Sequence, residues 1–212
     1  MKRMFAVLSV LVLVAAGAWA YPGPNSIGIY TVTDATGPVS TCTNVAPFSQ
    51  FSLYLCVTHM DPPEGGMYIS GWELELHWDN TNFLGAWDLF GGLDVGQDID
   101  DGHYFAVGEQ TSLMPNAQDV VVLAALENAF YTDTTGDPIH FTISGHPGST
   151  SFPDGSFGYQ NDPGIFVSCV ASTGFAGTVN GVYMSNPVFV INGDCVVGNQ
   201  DTTWSGIKGL YR

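Results

Sequence analysis

Over residues 71–78 apolar and polar positions alternate without a break: Trp72, Leu74, Leu76 and Trp78 on one side, Glu73, Glu75 and His77 on the other. Successive side chains of an extended chain point to opposite faces, so this period of two predicts a half-buried β-strand. Phe51, Leu53, Leu55 and Val57 alternate with Ser52, Tyr54 and Cys56 in the same way. Between them, Asp61-Pro62-Pro63-Glu64-Gly65-Gly66 continues neither strand and supplies a turn. Further strands are expected at 27–33, 83–90, 104–107, 139–143, 165–170 and 182–191. The stretch 120–131 has an Ala and Leu content that a helix tolerates. Its run Val120-Val121-Val122 and closing Phe130-Tyr131 predict instead a strand covered on both faces. Gly and Pro are scattered between short apolar stretches, with no linker, charge block or repeat. The prediction is one all-β domain, a single β-sandwich over 21–200.

The ends of the chain read differently. All four basic residues lie there: Lys2, Arg3, Lys208 and Arg212. Lys2 and Arg3 precede an apolar run over 4–19 that closes on Ala18-Trp19-Ala20. That is the layout of a secretory signal peptide at 1–20, cleaved before Tyr21. The run is shorter than the roughly 20 residues of a membrane span, and no later stretch reaches that length. No membrane insertion of the mature form is therefore expected. Losing Lys2 and Arg3 would take the formal charge from −16 to about −18. With no Lys or Arg left outside the last five residues to displace counterions from phosphates, nucleic acid is excluded as a partner. The expected setting is extracellular, at the cell surface or in the periplasm, with an extracellular protein or glycan as partner.

In an exported chain, Cys42, Cys56, Cys169 and Cys195 read as two disulfides. Three pairings are open. Cys42–Cys195 with Cys56–Cys169 is favoured, because it ties the start of the domain to its end. No Cys-x-x-Cys spacing suggests a zinc ribbon.

The succession of Ile27-Gly28-Ile29-Tyr30, the strand around Phe51 and Gly71-Trp72-Glu73-Leu74 resembles cohesin-like β-sandwiches and a loose group of secreted bacterial proteins of unknown function. Members of that group end on a Trp-Gly-x-x-Lys-x-Leu-Tyr-Arg-like tail. Here Trp204-Ser205-Gly206-Ile207-Lys208-Gly209-Leu210-Tyr211-Arg212 is similar, with Ser205 in place of glycine. The resemblance implies a fold and an exported life, and brings no catalytic residues with it. The tail at 201–212 could form one helical turn with Trp204, Ile207, Leu210 and Tyr211 on one side. It reads either as a segment docked on the sandwich or as a sorting signal that includes Lys208 and Arg212.

Catalytic motifs are missing: there is no Gly-x-Ser-x-Gly, no His-Glu-x-x-His and no phosphate loop. Asp154-Gly155-Ser156-Phe157-Gly158 reads as a turn. Glu73, Glu75, His77 and Asp79 share one strand face but lie too far apart to hold an ion without a neighbour such as His59. They read as a solvated strand face. Asp94, Asp98, Asp100 and Asp101 form the densest acidic loop. It is a candidate calcium site that departs from an EF-hand, with a plain solvated loop as the competing reading. No other cofactor is expected. Tyr54, Trp87 and Tyr104 are candidates for stacking on sugars, whereas Trp72 and Trp78 belong to the inward phase of their strand. The resulting expectation is a non-enzymatic structural or protein-binding module. Carbohydrate binding and an unrecognised hydrolase are the alternatives.

Overall fold

The computed structural model describes residues 24–33, 42–62 and 66–193. The expected leader at 1–20, Cys195 and the whole 201–212 tail, including Trp204, Ile207, Lys208, Leu210, Tyr211 and Arg212, lie outside the described residues. The described chain contains strands and no helix. In order, β1 is Ser26–Tyr30, β2 Cys42–Thr43, β3 Gln50–Thr58, β4 Ile69–Trp78, β5 Phe83–Leu84 and β6 Leu93–Asp94. Next come β7 Gln97–Ile99, β8 Gly102–Leu113, β9 Val121–Tyr131, β10 Ile139–Ser144 and β11 Gly158–Asn161. The last five are β12 Phe166–Ser168, β13 Val170–Ala171, β14 Phe175–Val179, β15 Val182–Ser185 and β16 Phe189–Ile191.

These strands make two sheets. The smaller runs β13-β1-β3-β9-β5, and the larger has the path β12-β11-β4-β10-β15-β14, with β8 also pairing β4. The core lies between them. Ile27, Ile29, Leu53, Leu55 and Val57 of the first sheet meet Trp72, Leu74, Leu76, Phe141 and Ile143 of the second. Each fully buried aliphatic side chain contributes about 1.5–3 kcal/mol. The strict alternation in β3 and β4 thus places its apolar half between the sheets. Two layers around one apolar core make an all-β sandwich.

Strand β9 is covered on both sides, as its run of valines predicts. Leu123 and Leu126 join the core, while Val120 and Val122 pack on the outer face of the first sheet with Tyr30, Tyr54 and Cys56.

Four expected strands are broken or shortened. The first ends at Tyr30 rather than continuing to residue 33. The 83–90 stretch keeps only Phe83–Leu84 as strand. Beyond it, Asp88 accepts the Phe90 amide at 2.9 Å and Phe90 takes φ 54°, so the chain turns. The 165–170 stretch changes sheets: β12 pairs with β11 in the larger sheet, and β13 runs parallel to β1 in the smaller. The 182–191 stretch breaks at Asn186-Pro187, where proline has no amide to give the ladder.

The expected Cys56–Cys169 disulfide is not formed: both residues are free, buried thiols. Their placement explains it. Cys56 faces outward in the small cluster with Tyr30 and Val120, whereas Cys169 packs in the core between the sheets. Burial pushes the Cys56 thiol up to about 12 and raises that of Cys169 as well. Cys42 is disulfide-bonded. The expected Cys42–Cys195 pairing has one end outside the described residues.

Candidate functional site

The chemistry-bearing residues collect on the outer face of the larger sheet. There β4 is flanked by β8 on one side and by β10 and β11 on the other. The alternation that sends Leu74 and Leu76 inward sends Glu73, Glu75 and His77 outward. The ladder sets Glu75 opposite Tyr104 of β8 and Ser144 of β10. It sets His77 opposite Gly102, a position without a side chain. A methyl group at Gly102 would strike the Leu76 carbonyl, so glycine is what lets β8 begin this close to β4.

The outward face is not solvated, contrary to expectation. Glu73 is 9%, Glu75 8% and His77 9% exposed. Buried charges are costly unless they are paired and hydrogen-bonded, and here Glu75 and His77 are both, while Glu73 accepts from a hydroxyl. Glu75 Oε1 takes His146 Nδ1 at 2.8 Å. Its Oε2 accepts from the Ser144 hydroxyl at 3.0 Å and lies 3.4 Å from His77 Nε2. His77 Nδ1 is 2.9 Å from Asp101 Oδ1, and its Nε2 is 2.8 Å from Ser144 Oγ. Tyr104 donates to Glu73 at 3.1 Å, and its ring stacks on His146 with centroids 3.7 Å apart.

Burial works against the charged form of both central groups, and the partners outweigh it. For Glu75, desolvation is offset by hydrogen bonds from His77, His146 and Ser144, which hold the carboxyl below its usual range. For His77, desolvation is offset by Glu75 and Asp101, which raise the imidazole above its usual range. An imidazolium donates from both nitrogens. His77 then gives one proton to Asp101 and one to Ser144 Oγ, which passes its own to Glu75. Desolvation, followed by the charge of Glu73, raises the Tyr104 phenol.

The acidic loop divides between the two faces of the sheet. Asp101 serves His77 on the outer face. His103 pairs with Leu76 in the ladder and so stands on the core side. Asp94 and Asp98 clamp it there, at 2.7 Å to Nε2 and 2.7 Å to Nδ1. Asp100 is exposed. Among the described residues no three of His, Cys, Asp or Glu are grouped so as to hold a metal ion. Asp79 takes His140 Nδ1 at 2.6 Å, and His59 directly follows β3, which belongs to the other sheet.

The three aromatics considered for sugar stacking do not share a surface. Tyr54 is on the outer face of the smaller sheet, its hydroxyl 3.4 Å from Glu127. Trp87 packs against the core, with its Nε1 buried and unpartnered. Tyr104 is on the outer face of the larger sheet. The turn at Asp154 is as expected: its carboxylate accepts from the Ser156 amide at 3.1 Å and from the Ser156 hydroxyl at 2.7 Å.

Sequence reasoning missed Ser144 and His146 as members of the site. The available signal was the absence of Lys and Arg from the body of the chain. Acids buried on a strand there can find a cation only in histidine.

No protein-family model matches the chain, and no curated protein matches it. Among solved structures it is similar to the sixth cohesin of scaffoldin B from Acetivibrio cellulolyticus, determined in complex with a mutant Cel5 dockerin. The identity is 13% and the TM-score 0.42, over 70% of this chain and 94% of that one. No helix among the described residues is long and apolar enough to cross a membrane.

Proposed function

We propose that this chain is an exported, non-enzymatic β-sandwich that serves as a structural or protein-binding module. The observation that carries the reading is the state of Ser144. Its distances to His77, and those of His77 to Asp101, are those of a Ser-His-Asp array. Yet Ser144 is 1% exposed. Its hydroxyl is directed into Glu75, and a carboxylate beside a nucleophile opposes the negative charge that acyl transfer would build up. The array therefore acts as a brace joining β4, β10 and the start of β8.

A hydrolase is the second reading, favoured by those same distances. A fluorophosphonate probe and a panel of ester substrates separate the two. The brace gives no adduct on Ser144, and Ser144→Ala lowers the melting temperature. A covalent adduct on Ser144, abolished by Ser144→Ala, would establish the hydrolase instead.

A further inference from the structure

The larger sheet ends on β14, whose pairing along the sheet path is with β15 alone. All five of its residues are exposed. The β14–β15 hairpin turns on Asn180-Gly181, both with positive φ (52° and 86°), as a two-residue type I′ turn requires. Val179 and Val182 flank the turn and exchange the hydrogen bonds that close it. By the antiparallel alternation, the N–H and C=O of Thr178 point away from β15 to the open edge.

Exposed edges are usually blunted by Lys, Pro, an inward charge or a bulge. Strand β14 has no charge and no Pro. A register shift between Phe175 and Gly177 and a φ of 155° at Gly177 bulge its start, and beyond them Thr178 and Val179 pair in register with Tyr183 and Val182. The edge is also apolar and braced: Phe175 lies 5.3 Å from Tyr183 and 6.0 Å from the buried Phe157.

Charge decides the occupant. Between Asp162 and Asp194 the chain has no Asp, Glu, Lys, Arg or His. The remainder carries all of a formal −16, so two copies repel each other over most of their surfaces. The acid that the hydrogen bonds bring nearest to this hairpin is Asp154, beside Gly155, whose carbonyl accepts the Tyr183 amide at 2.9 Å.

We infer that β14 pairs edge to edge with the β14 of a second copy, antiparallel about Thr178, so that each Thr178 exchanges its free backbone groups with its counterpart. Such a contact is two-fold and self-complementary. A contact along one short strand falls below the roughly 1,200 Å² of a standard interface, so the dimer is weak. The inference deepens the binding role proposed above by naming the partner. An adduct on Ser144 would overturn that role without touching the edge.

Sedimentation equilibrium of the purified protein from 5 μM to about 1 mM, at low and high salt, tests the pairing. Salt screens the body's repulsion, so the dimer should form and tighten several-fold as salt rises. Thr178→Pro removes the outward amide and Thr178→Lys charges the edge. Both should be monomeric throughout, with melting temperatures close to the parent's. A parent that stays monomeric at both salts overturns the inference. So does a dimer that loosens with salt, or one that survives both folded variants.

Discussion

Ser144 Oγ lies 2.8 Å from His77 Nε2, the spacing of a nucleophile and its base, but the serine hydroxyl is turned to Glu75 Oε2, 3.0 Å away. His77 is held above its ordinary pKa by Glu75 and Asp101, against the desolvation of its burial. Every ion pair among the described residues has a histidine as its cation. The brace therefore answers to pH where a lysine or arginine pair would not.

Removing the central carboxylate should cost more than a surface pair does. Glu75→Gln keeps the shape but leaves His77 and His146 without the charge they face. The expected loss is about 2–3 kcal/mol, which lowers the melting temperature of a domain this size by roughly 4–12 °C. Thermal melts at pH 6 check it. A shift of less than a degree would show that the network carries no net stability.

Stability should pass through a maximum between the two ordinary values. The His77 contribution is complete below 6.5 and is lost as pH rises through its raised folded value. The Glu75 contribution is present above 4.5 and is lost as pH falls through its depressed one. Chemical denaturation across pH 3–9 should therefore peak at about pH 4.5–6.5, with the alkaline decline flattened in His77→Asn. A stability that climbs steadily to pH 9 would contradict the assignment.

The two buried thiols should be silent in the folded protein. Cys56 is pushed up to about 12 by burial, and Cys169 is raised by the same cause. Iodoacetamide at pH 8 should modify neither until denaturant is added, and then both. Their recovery as a disulfide-linked peptide pair from native protein would restore the pairing expected from sequence.

Gly102 should not tolerate a side chain. In Gly102→Ala the new methyl strikes the Leu76 carbonyl and pushes the start of β8, with Asp101, away from His77. The expected cost is about 1–3 kcal/mol, with a smaller pH dependence than the parent. Unchanged stability would mean that the β4–β8 contact is looser than the ladder shows.

Alternation made β3, β4 and the core residues between the sheets legible in the sequence, because a period of two maps directly onto the faces of a strand. It could not show that the outer face of β4 is covered. Strand spacing gives the neighbours of Glu75 along its own strand, while the residues that close over it, Tyr104, Ser144 and His146, come from β8 and from the end of β10. Short strands such as β6 and β14 lack a readable period. The split of the 165–170 stretch between two sheets depends on a crossing that no local pattern records. The cysteine pairing failed on facing: strand order placed Cys56 and Cys169 at the right ends of the domain, but they lie on opposite sides of the smaller sheet.

The protonation of His77 tests the brace most directly. Nitrogen-15 chemical shifts and one-bond N–H couplings of its ring, followed from pH 5 to 9, distinguish a structural cation from a catalytic base. A brace requires that both ring nitrogens keep their protons above the ordinary 6.5, with the Nε2 proton shared toward Ser144. An Nε2 that is bare at or below 6.5 and accepts the Ser144 hydroxyl would contradict it and return the site to the hydrolase reading.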